Sequence, residues 1–306
     1  MAVPHDSGAF GDLLDPLFQK IFRDQYDQLP DMVGQVYTME GTNGRETIKW
    51  SGVGALGDFV QFNGTVSYDS FAQAYDVTAT PLQFTSGVQV TRQLFDDDQW
   101  QIMNQRPRGL AMSANRTRQK HAARYFNNAF SVDTLFYSHS EGVALVSNSH
   151  GTNSPSADTS SGFDNLVTSA LSATAVASAR IQMVGFVDDR GNKISVMPDT
   201  IWIPNALYEE AFEIVQSRGK VDTAENNANV HNGQYTIKEW NYLTDTNNWF
   251  MTDEGLRKQG AFWTDRVPLE FAYVEDFDTL VAKWRAYMRY ASAHVDWRGL
   301  LGAQVS

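Results

Sequence analysis

The chain of 306 residues contains no cysteine. Disulfides, thiolate metal sites and cysteine nucleophiles are therefore excluded. Positive charge is scarce: 24 Lys and Arg stand against 36 Asp and Glu, a net charge of −12. A general nucleic-acid binder would instead present a basic surface. No apolar run approaches the roughly 20 residues of a membrane-spanning helix. The opening MAVPHDSGAFGDLL has no basic region before an apolar core, so no signal peptide is expected. Catalytic signatures are missing too: there is no G-x-S-x-G, no G-x-x-x-x-G-K-[ST] and no H-E-x-x-H.

One motif is present. SGVGALGDF (51–59) holds Gly52, Gly54 and Gly57 as a G-x-G-x-x-G. In a dinucleotide site those glycines join a buried apolar strand to a helix N-terminus. Here the preceding GRETIKW is mostly polar, and DFVQFNGTVSYD follows. Val60/Phe62 and Val66/Tyr68 alternate around Asn63-Gly64, a hairpin pattern. The glycines are thus expected in a loop feeding a β-hairpin, with no cofactor.

Metal readings are weak. Asp96, Asp97 and Asp98 point about 100° apart on a helix, so they do not converge on one ion. Asp96 as N-cap with Gln99 as its capping-box partner is the better account. His121 has no histidine four residues away and is expected at a core edge, beside Leu110, Ala114 and Tyr125. His139 and His150 are eleven apart with no carboxylate pattern between them. No catalytic or metal-binding residue is assigned.

Extension is what the sequence has in abundance. Residues 10–29 repeat Leu17, Phe18, Ile21 and Phe22 at helical spacing after Asp15-Pro16, an arm that docks on its own core or, in the sharper reading, on another subunit. A second long helix restarts after Pro107 and runs to about Phe130. Between Asp98 and Asp133 lie six basic residues and no acid, which leaves the rest of the chain at −18. Among them Arg116, Lys120 and Arg124 form one row. That row is either a solvated face or has an acidic partner: the chain's own carboxylates, packaged DNA or, preferentially, a neighbouring subunit.

The stretches YTMEGTNGRETIKWSGVGALGDF (37–59), VTRQLFDDDQW (90–100), RTRQKHAARYFNNAFS (116–131), WIPNALYEEAFEI (202–214), WNYLTDTNNWFM (240–251) and HVDWRGLLG (294–302), in this order, resemble the major capsid proteins of tailed bacteriophages. The resemblance implies an α+β fold of that capsid type. An N-terminal arm would cover 1–38, an extended β-hairpin loop 39–86, and a peripheral domain with its spine helix 87–135. An axial domain would follow over 136–264, with closing peripheral strands over 265–306. It also implies a structural protein, not an enzyme. The protein would self-assemble as hexamers and pentamers into an icosahedral shell around double-stranded DNA, without sequence-specific binding. Portal and decoration proteins are further implied partners. The place would be the virion, assembled in the bacterial cytoplasm. The sequence shows no long charged helical prefix, which implies a separate scaffold or a processed start. Lys49 lies where some relatives form crosslinks, but no Asn partner is evident and none is expected. The alternatives are an encapsulin-like compartment, or a nucleotide enzyme using Gly52 to Gly57.

Overall fold

The computed structural model describes residues 19–42, 44–70, 72–91, 100–153, 158–219, 228–276 and 281–305. Its longest strands form a four-stranded sheet in the order β1 (Thr38–Gly41), β10 (Ala261–Asp276), β11 (Val281–His294), β4 (Leu82–Thr91). In β11, Trp284, Ala286, Met288 and Tyr290 are buried, whereas Arg285 is exposed. This is the period of two that a strand with one packed face imposes. Two helices cover that face. Helix α1 (19–27) contributes Phe22, α2 is the short Val33–Val36, and α3 is the long Trp100–Ala122. Phe22, Leu110, Ala111 and Ala286 share one buried cluster. A short α4 (Arg124–Asn127) follows.

The second sheet has the order β6 (Leu166–Val167), β12 (Leu300–Ala303), β9 (Trp249–Thr252), β7 (Thr200–Ile203), β8 (Thr236–Glu239). Every residue of β7, β9 and β12 is buried. Their unbroken TIWI, WFMT and LLGA runs suit strands covered on both faces. Helices α5 (Ala173–Val184) and α6 (Tyr208–Gln216) add Val176, Met183, Ile214 and Val215 to the same core, and α7 (Glu254–Gly260) leads into β10. A third sheet, β2 (Ile48–Val53), β3 (Gln73–Ala79) and β5 (Tyr137–His139), is antiparallel throughout.

Three local expectations need correction. Val60/Phe62 and Val66/Tyr68 form no ladder, although Gly64 has φ +104° as a turn requires. A lone two-stranded hairpin with no face to bury is marginal in water, and the paired strands of this excursion are β2 and β3. Pro107 does not interrupt the long helix but lies inside it, buried. Its ring lines a small apolar gap with Val90, Leu110 and Trp284, and this burial offsets the roughly 3 kcal/mol a helical proline costs. The segment 265–306 does not stay in one sheet. β10 and β11 complete the four-stranded sheet, but β12 enters the five-stranded one between β6 and β9. A 3-10 turn, Asn205–Leu207, leads into α6. Asp96, Asp97, Asp98 and Gln99 fall outside the described residues.

Candidate assembly surfaces

Between β2 and β3 the described residues carry no regular structure, and residues 58–70 are all exposed. Phe59 and Tyr68 are 101% and 90% exposed, and Val60, Phe62 and Val66 are more than half exposed. The base of this loop is tied down. Gly54 N–H donates to Ala72 O at 2.8 Å. Ala55 N–H donates to the Asp189 carboxylate at 2.9 and 3.1 Å. The Arg190 guanidinium grips Asp69 at 2.6 and 3.1 Å and also reaches Ser70 O at 2.9 Å. Gly57 N–H donates to Asp69 as well, and this bond, followed by Arg190, holds the Asp69 carboxyl below its usual value.

The glycine motif acquires its reason here. A Cβ on Gly54 would sit 2.6 Å from Asp189 Oδ2, and one on Gly52 2.8 Å from the Ala74 Cβ. The glycines admit the chain's own neighbours at close range. No helix follows them, so the context of a pyrophosphate site is missing.

Helix α3 presents Arg106, Arg108, Arg116 and Lys120 to solvent, with Met112 among them. The third member of the sequence row behaves differently. Arg124 is half-buried and pairs with Asp133 through two bonds, at 2.9 and 2.6 Å. The chain turns after α4 and brings this carboxylate back, so Arg124 does not belong to the open basic face. Arg118, also from the helix, pairs with Asp265 at 3.0 Å and lies over Trp263.

Of the four arm residues, Leu17 and Phe18 lie outside the described residues. Phe22 is buried by its own chain, with its ring 4.8 Å from that of Phe271. Ile21 packs beside Val90 and Trp284. Within one subunit these two side chains are therefore occupied.

His121, His139 and His150 have structural partners within the chain. Asn165 spends both amide hydrogens on Leu145 O and Leu300 O, so its oxygen faces His150 Nε2 at 3.2 Å. His150 Nδ1 lies 2.9 Å from Glu141, and its ring stacks on Trp297 at 4.4 Å. His139 accepts from Glu141 N–H and donates to Val295 O. His121 bonds the Tyr290 hydroxyl at 2.7 Å, and burial, helped by Arg124, lowers it to about 4. It is the core-edge residue expected from its helix face. Among the described residues, no group of three or more His, Asp or Glu is placed to hold a metal. Nothing in the local sequence marks Asp189, Arg190 or Asn165, whose partners are distant along the chain.

The sequence model of a phage capsid protein family matches residues 74–303. The chain belongs to this family. It is a structural capsid protein of the phage head shell. Solved structures share the fold. The capsid of cyanophage P-SCSP1u is 13% identical over 89% of this chain and 87% of its own, with a TM-score of 0.56. The mature capsid of bacteriophage PhiM1 is 10% identical over 91% and 88%, with a TM-score of 0.57. The capsid of the myovirus XM1 is 10% identical over 89% and 90%, with a TM-score of 0.55. No curated protein matches the sequence. The mixed helix-and-sheet architecture of this capsid protein is thus the tailed-phage capsid fold.

Proposed function

We propose that copies of this capsid protein join as hexamers and pentamers of a closed icosahedral head, which encloses the double-stranded DNA of a tailed phage. The exposed apolar tip of the loop carries the reading. Phe59, Val60, Phe62, Val66 and Tyr68 lie within ten residues and are left uncovered by the subunit. Such a cluster on a single chain marks an interaction surface, and in a self-assembling family the occupant is a second copy. Assembly takes place in the host cytoplasm, with scaffold, portal and decoration proteins as further partners. Negative-stain imaging of the purified protein should show uniform shells. Phe59→Ser with Phe62→Ser should leave the circular dichroism spectrum unchanged and abolish them. Wild-type shells from that double variant would overturn the reading. DNA inside heads from infected cells separates a genome container from a cargo compartment.

Arg116 and Lys120 are the open part of the basic row, and their partner in this proposal is an acidic surface of the neighbouring subunit. Arg116→Glu with Lys120→Glu should give folded subunits that do not assemble. Shells that form but stay empty of DNA would assign the face to nucleic acid instead.

A further inference from the structure

We infer that the turn 188–190 is a clip that aims the apolar tip of the loop at a second copy of this chain. The inference rests on the reading of the tip as an intersubunit surface. The tip hangs on a segment whose described residues, 54–70 and 72, form neither helix nor strand. Such a segment samples many directions, and holding one of them in advance removes an ordering cost from assembly.

The clip is itself preformed. Asp188 N–H donates to Asn192 O at 2.8 Å, the Asp188 carboxylate accepts from Arg190 N–H and Asn192 N–H at 2.9 Å each, and Gly191 takes φ +86°. Two side chains fasten this turn to the body. Thr152 Oγ1 donates to Asp189 O at 3.1 Å, and Arg298 Nε donates to Val187 O at 2.7 Å. From this fixed base the two successive residues grip both ends of the loop. Asp189 holds Ala55 on the outgoing side, while Arg190 holds Asp69 and Ser70 on the returning side. A segment held at both ends by one rigid turn has its tip direction set by that turn. Gly54 is the residue that lets Asp189 approach. The Arg190–Asp69 pair is partly open to solvent, so each bond is modest. The clip therefore governs the loop without governing the fold.

The experiment uses the full chain. Dilute, unassembled subunits are cut with chymotrypsin, which recognises Phe59, Phe62 and Tyr68, and shell yield is measured in parallel. Arg190→Ala should raise the cutting rate in the loop roughly tenfold, as a segment freed of its local contacts opens more often. It should also lower shell yield and leave the denaturation midpoint of the subunit unchanged. Gly54→Ala should do the same by displacing Asp189, and Arg190→Lys should fall between Arg190→Ala and wild type. Should Gly54→Ala fail to fold, the partly exposed Arg190→Ala still decides the matter. Unchanged cutting overturns the clip. Faster cutting with undiminished shells overturns its role in aiming the tip. If Phe59→Ser with Phe62→Ser assembles normally, the tip reading fails, while the cutting comparison still reports whether the turn holds the loop.

Discussion

The Arg257 guanidinium is 1% exposed, and it donates to the carbonyls of Gln35, at 2.7 Å, and Val36. It also lies over the Trp202 ring and pairs with Glu254. One side chain thus fastens the segment before β1 to the five-stranded sheet. Arg257→Ala would leave the buried Val36 carbonyl without its donor, at about 1–3 kcal/mol, and would also remove the partly buried bond to Gln35 O and the packing on Trp202. A loss of about 3 kcal/mol by urea unfolding is expected, and a change under 1 kcal/mol would refute the role. The histidines make a second prediction. Burial holds His139 below the ordinary imidazole value, His121 at about 4 and His294 at about 3. Each is neutral in the fold and charges on unfolding, so its contribution is complete above about pH 6.5 and is lost as pH falls toward the folded value. Glu141 acts in the same direction. Burial pushes its carboxyl up, but His150 and the Gly151 N–H outweigh it and hold it below its usual value. The urea midpoint should fall steadily from pH 6.5 to 4. His294 faces Tyr137 and His139 at 4.8 and 5.3 Å, and His294→Gln should flatten this fall. An equally steep profile in the variant would contradict the assignment.

At the scale of elements, helix α1 is held by an aromatic plug. Phe22 packs against Leu110, Ala111 and Ala286, and stacks on Phe271. Phe22→Ala removes this burial and leaves a cavity, at an expected cost of about 3 kcal/mol. Thermal unfolding of the subunit reads it, and an unshifted transition would return the arm to the intersubunit role its spacing also allows. Helix α3 shows how an element escapes its sequence signals. Its proline lies in the helix because the apolar surroundings of Val88, Val90 and Trp284 receive the ring. Its basic row splits because Asp133 folds back onto Arg124. Spacing alone gives the face a residue occupies, but the carboxylate that neutralises it arrives from the next turn of chain.

Over the whole molecule, the last strand closes the structure. β12 sits between β6 and β9, with Leu300, Leu301 and Ala303 fully buried. Asn165 also bonds Leu300 O from inside the core. Deleting residues 296–306 removes an interior strand and exposes both flanking ones. The two leucines alone account for roughly 1.5–3 kcal/mol each. The truncated chain should show no cooperative unfolding transition. A normal transition would mean that the sheet closes without β12.

The sequence by itself determined the pieces with a local physical cause. Alternation in WRAYMRY matches the buried row of β11, the apolar runs TIWI and WFMT match strands buried throughout, and DDRGNK holds a turn with Gly191 in the left-handed region. Period, burial and turn chemistry act between neighbours, so they are written in neighbouring residues. The G-x-G-x-x-G was legible as the start of a loop for the same reason, because no helix pattern follows it. Only the tertiary structure decided what those glycines are for. Asp189 lies 134 residues from Ala55, and Arg190 lies 121 from Asp69. Nothing local announces either pair. It also decided that the 60–68 hairpin forms no ladder, that β12 changes sheets, and that Arg124 is neutralised at home. Each depends on which surface the folded body brings alongside, and that follows from the packing of the whole chain.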